Sequence, residues 1–197
     1  MRVVIAGILG GVVLFLWGAF AHMNPYLPIG YIGLRTIPNE EPLVRELKLA
    51  CPEPGLYIIP GMDLSKQPTK EQIEEHAKKQ KIGPTGILVI NPNGGQGMVP
   101  QRLSIEFATG VCTAILAAVL LVQTRNGFAG SVLFVAGLGL FAWIVISVPY
   151  WNWYEFPLEF TLAEAIDSVV GWLLAGFVIA AIVRPWRVKS VEPAPAA

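Results

Sequence analysis

The sequence predicts a membrane protein, mostly α: a four-helix transmembrane bundle with a small extracytoplasmic α/β domain inserted between helices 1 and 2. Three observations predict it. Of 197 residues, 54% are hydrophobic and 14% are charged, against about 25% charged in ordinary soluble domains. Four stretches are apolar over the roughly 20 helical residues that cross a hydrocarbon core of about 30 Å. The polar stretch between the first two holds eleven of the sixteen prolines and is composed quite differently from its flanks.

The spans are Val3–Ala21, Ile105–Val122, Phe128–Val148 and Leu162–Val183. Lipid offers backbone groups no hydrogen-bond partners, so each must be a helix. "AFA" at Ala19–Ala21 also resembles a signal-peptidase site. The apolar run is long for a signal peptide, and Trp17 and Phe20 crowd the cleavage position, so the first span is read as an uncleaved anchor. Arg2, Arg125, Arg184, Arg187 and Lys189 fall on one side, opposed there only by Glu192. The aromatic outer loop 149–161 carries Glu155 and Glu159 and no base. The positive-inside rule therefore places the N-terminus and the tail 184–197 in the cytoplasm, and residues 24–104 outside it.

Within 24–104, nine bases and eight acids nearly balance, which describes a solvated segment without a strong field. Frequent prolines cut it into short elements. "YIGLRTI" (Tyr31–Ile37) reads as a short strand. "NEEPLVRELKLA" follows as an amphipathic helix, with Asn39 as N-cap candidate and Leu43, Leu47 and Ala50 as its stripe. "GLYII" (Gly55–Ile59) is the next strand. A helix then opens at Thr69, where "TKEQ" has capping-box spacing, with Glu74–Lys78 and Glu75–Lys79 as i,i+4 pairs. "GILVI" (Gly86–Ile90), closed by "NPNGG", is the clearest strand.

Little here points to catalysis. "NPNGGQG" (Asn91–Gly97) lacks the Lys and Ser/Thr of a phosphate loop and reads as a turn leading to the membrane. Cys51 and Cys112 differ too much in predicted depth to bond, since a disulfide needs Cα atoms within about 7 Å. Neither has a neighbour at metal spacing, and His22 and His76 stand apart from both. His22 beside Met23 would be the best metal candidate, but it reads as a wetted helix end. No catalytic residue, metal or cofactor is assigned. Zero net charge and the absence of a basic cluster exclude nucleic acid as a partner.

The sharpest functional signal is acidic. Glu106, Glu164 and Asp167 lie within spans, where ionisable groups are costly and default to a functional reading. Glu164 and Asp167 are three apart on one face, so with Glu106 they are candidates for a proton or cation site, or for pairing between helices. Capping explains part of this. Thr161–Glu164 has capping-box spacing, and Ser104 or Gln101 are cap candidates beside Glu106. Asp167 lies a turn deeper than a cap requires. The span centres carry small residues instead: Gly7, Gly11, Gly110, Ala114, Gly171 and Ala175, whose spacing lets helix backbones approach closely.

"VPYWNWYEFPLEF" (Val148–Phe160) supplies an interfacial belt, and Tyr150, Trp151, Trp153, Tyr154 and Phe156 are the candidate docking surface. "GPTGILVINPNGGQGMVPQRLSIEF" (Gly83–Phe107), followed by an Ala-rich span, resembles a pattern in uncharacterised bacterial inner-membrane proteins. That resemblance implies a bacterial origin and nothing about mechanism. The expectation is a multi-pass inner-membrane accessory, scaffold or assembly subunit, non-enzymatic, whose partners are the lipid bilayer and other membrane-protein subunits or a second copy. The alternative is a small transporter or proton-coupled module using the three acids.

Overall fold

The computed structural model describes residues 1–63, 65–95 and 97–183. It is mostly helical, and four helices are long and apolar enough to cross a membrane: α1 (Arg2–Met23), α4 (Pro100–Val122), α5 (Phe128–Tyr154) and α6 (Leu158–Val183). Between α1 and α4 come a 3-10 turn (Ile29–Tyr31), α2 (Glu40–Ala50), β1 (Gly55–Ile59), α3 (Lys70–Ile82) and β2 (Gly86–Ile90). The expected tail 184–197, with Arg184, Arg187 and Lys189, lies outside the described residues.

Three span boundaries differ from expectation. α4 begins at Pro100 and α6 at Leu158, each several residues early, and α5 continues through Pro149 to Tyr154. Pro100 occupies the first helical position, where its missing N–H has no intrahelical partner to lose. Pro149 lacks the N–H that Val145 would otherwise receive, yet the helix goes on for one further turn and a half. The expected outer loop 149–161 is therefore mostly helix, and the link between α5 and α6 is only Glu155, Phe156 and Pro157.

The bundle packs in the order α4, α1, α6, α5, with α1 and α6 at its centre. Its interior is built from small side chains: Ala6, Ala114, Ala117, Ala118, Ala175 and Ala180 are essentially inaccessible, joined by Leu121, Val135 and Ile179. Large apolar residues such as Leu16, Leu116, Leu133 and Phe141 point outward. That inversion of a soluble core suits a lipid environment, where close backbone packing rather than solvent exclusion holds helices together.

The glycines show how close the approach is. A Cβ on Gly11 would lie 2.6 Å from Val111 Cα of α4, and one on Gly7 would overlap Ile115. Gly110 faces Gly11 from the other side, with Gly11 O 3.5 Å from its ideal Cβ position. Gly10, absent from the sequence-level set, lies between Ala114 and Ile179 and so joins α1 to both neighbours. Gly139 and Gly176 do the same for α5 and α6, where Ser168 Oγ also donates to Gly139 O at 2.9 Å.

The insertion is less consolidated. β1 and β2 form one antiparallel ribbon, registered Gly55↔Ile90 through Ile59↔Gly86. α2 and α3 bury no residue. α3 has the expected capping box, with Thr69 Oγ1 accepting from Gln72 N and Gln72 returning to Thr69 N. Asn39 occupies the N-cap of α2, but its side chain makes no capping bond. Of the two expected i,i+4 pairs, Glu75–Lys79 closes at 2.8 Å. Among the described residues, Glu74–Lys78 is not within ion-pair distance.

"YIGLRTI" is not a strand. Its first residue closes the 3-10 turn, and Gly33 adopts φ +81, which breaks any extended run. The segment instead lies against the bundle: Ile29 is buried with Ala21 and Ala163, and Gly33 sits against Phe160.

Candidate functional site

α1 and α6 meet near the end of the bundle that carries the insertion, and their contact is polar. Trp17 Nε1 donates to Asp167 Oδ1 at 2.7 Å and approaches the Asp167 carbonyl at 3.0 Å. His22 Nε2 lies 3.4 Å from Asp167 Oδ2. Both carboxylate oxygens of Asp167 are thus engaged by α1, across 150 and 145 positions of chain. Glycines make the fit: Gly171, one turn after Asp167, leaves room for the Trp17 indole, and Gly30 lies flat against the His22 ring. Any side chain at either position would overlap its neighbour.

Glu164 is half-buried one turn before Asp167 on the same face. It does not begin the helix. α6 starts at Leu158, and Thr161 Oγ1 donates back to Pro157 O, so the expected Thr161–Glu164 capping box is not formed. Glu106 is likewise no cap partner: the N-cap of α4 is Val99, and Ser104 Oγ donates to Pro100 O within the helix. Glu106 lies on an exposed part of α4, and among the described residues it makes no hydrogen bond or ion pair with the Asp167 contact. Among the described residues no group of three His, Cys, Asp or Glu could hold a metal ion. Cys51 is buried, Cys112 is exposed, and both are free.

A second constellation lies where the ribbon meets the α5–α6 link. Tyr150, Trp151, Trp153 and Tyr154 occupy the end of α5, all exposed, with Trp153 the most at 76%. Phe156 follows in the link, stacks on Tyr150 at 5.3 Å between ring centroids and meets Phe160 edge-on at 5.7 Å. Glu155 ends α5 in the left-handed region at φ 58, where a side chain other than glycine is disfavoured. Its Oε2 accepts from the hydroxyl of Thr85, the residue just before β2. A recess of about 280 Å³ opens here, lined by residues of β1, β2, α3 and α5. Nearby, Arg35 reaches Glu159 at 3.1 Å on the surface.

The ribbon carries the third feature. Leu56 and Ile58 of β1 pair with Val89 and Ile87 of β2 and so share a face. Leu56 is 71% exposed, Ile58 56% and Val89 82%. Sequence reasoning identified both strands but not this face, because alternation cannot tell a covered apolar side from an open one. No family model matches the chain, and neither a curated protein nor a solved structure matches it.

Proposed function

We propose that this protein is a multi-pass accessory or assembly subunit of the bacterial inner membrane, non-enzymatic, with both termini cytoplasmic. In this reading the α/β insertion forms an extracytoplasmic unit that engages another membrane protein. The observation that carries it is the open Leu56, Ile58 and Val89 face of the ribbon. Contiguous exposed apolar side chains on a polar background are the ordinary mark of a protein contact surface. The aromatic end of α5 lies beside the ribbon and extends the surface toward the headgroup level. The test is purification from native membranes of the full chain and of Leu56→Asp/Val89→Asp. A stoichiometric membrane-protein partner should accompany the wild type and be lost from the variant at unchanged thermal midpoint. A lone monomer in both preparations would contradict the reading.

A second reading, a proton- or cation-coupled module, is favoured by one observation: His22, Asp167 and Glu164 gather three titratable groups at the α1–α6 contact. It ranks lower because both Asp167 oxygens are already engaged by α1. Asp167→Asn in proteoliposomes separates the two readings, since a transporter would lose flux and a subunit has none to lose.

A further inference from the structure

We propose that the recess between the β-ribbon and the end of α5 binds an organic ammonium group. The lining supplies the chemistry for that ligand class. Trp153 and Tyr154 contribute electron-rich rings, Ile58 and Pro60 an apolar wall, and Glu155 the one carboxylate, and none of the described lining residues is basic. Aromatic faces beside a single carboxylate recognise alkylammonium cations through cation–π attraction and charge together. An anion would meet Glu155 with no cation to balance it. A purely apolar ligand would strip water from the carboxylate without replacing it. A bare divalent metal needs several oxygen ligands where one carboxylate and one hydroxyl are present.

The Glu155 carboxylate is held in position. Glu155 takes the left-handed conformation that ordinarily closes a helix C-terminus, with its N–H donating to Tyr150 O. The Thr85 hydroxyl donates to Oε2, and among the described residues no donor engages Oε1. At about 280 Å³ the recess lies just below the roughly 300–1,000 Å³ of drug-sized pockets, which suits a headgroup of a few heavy atoms. It also sits at the end of a membrane-spanning helix, where Trp and Tyr meet lipid headgroups. The ammonium therefore has two sources, the headgroup of an ethanolamine phospholipid or a soluble amine. The recess shares Ile58 with the docking face, but Leu56, Val89 and Ile87 do not line it, so Leu56→Asp/Val89→Asp and Glu155→Gln test the two surfaces separately.

The test uses the full chain in nanodiscs of phosphatidylglycerol, titrated with ethanolamine and with tetramethylammonium by calorimetry and tryptophan fluorescence. Saturable binding is expected for one or both cations and none for sulfate. Glu155→Gln, which keeps the shape and an acceptor for Thr85, should weaken binding at least tenfold at an unchanged thermal midpoint, and Trp153→Leu should weaken it independently. In nanodiscs containing phosphatidylethanolamine, weaker apparent binding of the soluble amine assigns the lipid headgroup as occupant, and unchanged binding assigns the free amine. No saturable binding of either cation to the wild type, or full binding by a folded Glu155→Gln variant, overturns the proposal.

Discussion

Trp17 and Asp167 stand 150 positions apart in the chain and are joined by an indole N–H to carboxylate bond of 2.7 Å, the shortest polar link between α1 and α6. A hydrogen bond to a charged group contributes about 1.5–3 kcal/mol in soluble proteins. Within membranes, measured couplings average about 0.6 and reach about 1.7 kcal/mol, because the unfolded helices also find partners. Trp17→Phe and Asp167→Ala should each lower stability in micelles, and their double-mutant cycle should return a coupling of about 0.5–1.7 kcal/mol. Strict additivity would mean that the bond contributes nothing net.

Glycine positions offer a contrast internal to the same helices. At Gly11 an added Cβ would meet Val111 backbone at 2.6 Å, which cannot give without separating α1 from α4. Gly11→Ala should cost about 1–3 kcal/mol as overpacking. At Gly18 and Gly137 nothing lies within 4 Å of the same atom, so Ala there should be neutral or stabilising by up to about 1 kcal/mol through helix propensity. Thermal unfolding of the three variants in one detergent checks the ordering.

Acid should loosen the insertion before the bundle. Glu75 is held below the usual carboxylate range by the hydrogen bond and charge of Lys79. Glu71 is lowered by its own backbone N–H and then Thr69, and Asp63 by Ser65. A carboxyl lowered in the folded state adds stability above its unfolded value, about 3.9 for Asp and 4.3 for Glu. That stability is lost as pH falls through the folded value. Amide exchange in α3 should therefore quicken as pH drops from about 5 to 3, after correction for intrinsic rates, while α1 and α6 stay protected. Uniform loss across both regions would contradict this.

The topology reading is checked by labelling. In a Cys51→Ser/Cys112→Ser background, Asn93→Cys should react with a membrane-impermeant maleimide in intact cells, and Asn126→Cys only after the membrane is opened. The reverse pattern would invert the orientation.

Much of the framework was legible in the sequence, for physical reasons that also explain the rest. The spans, both strands and the Thr69 cap rest on local composition and spacing, which folding leaves intact. Boundaries did not survive at Pro149 and Thr161, because a proline and a capping spacing state what a residue permits, not what its neighbours impose. Gly33 was absorbed into an expected strand and Gly30, just before it, was given no role, although the two lie against Phe160 and His22. Asp167 stood out as deeper than a cap requires, but its partner on α1 is a tertiary fact. The available signal was the indole N–H of Trp17, a donor inside a span that had to be satisfied somewhere.

The most direct test of the central claim is site-specific photo-crosslinking in native membranes. With the photoreactive residue at Leu56 or Val89 a single discrete adduct to one membrane protein is expected, and none from Lys70 at the start of α3. No adduct from either ribbon position, or equal yield from all three, would contradict the reading of this face as a docking surface.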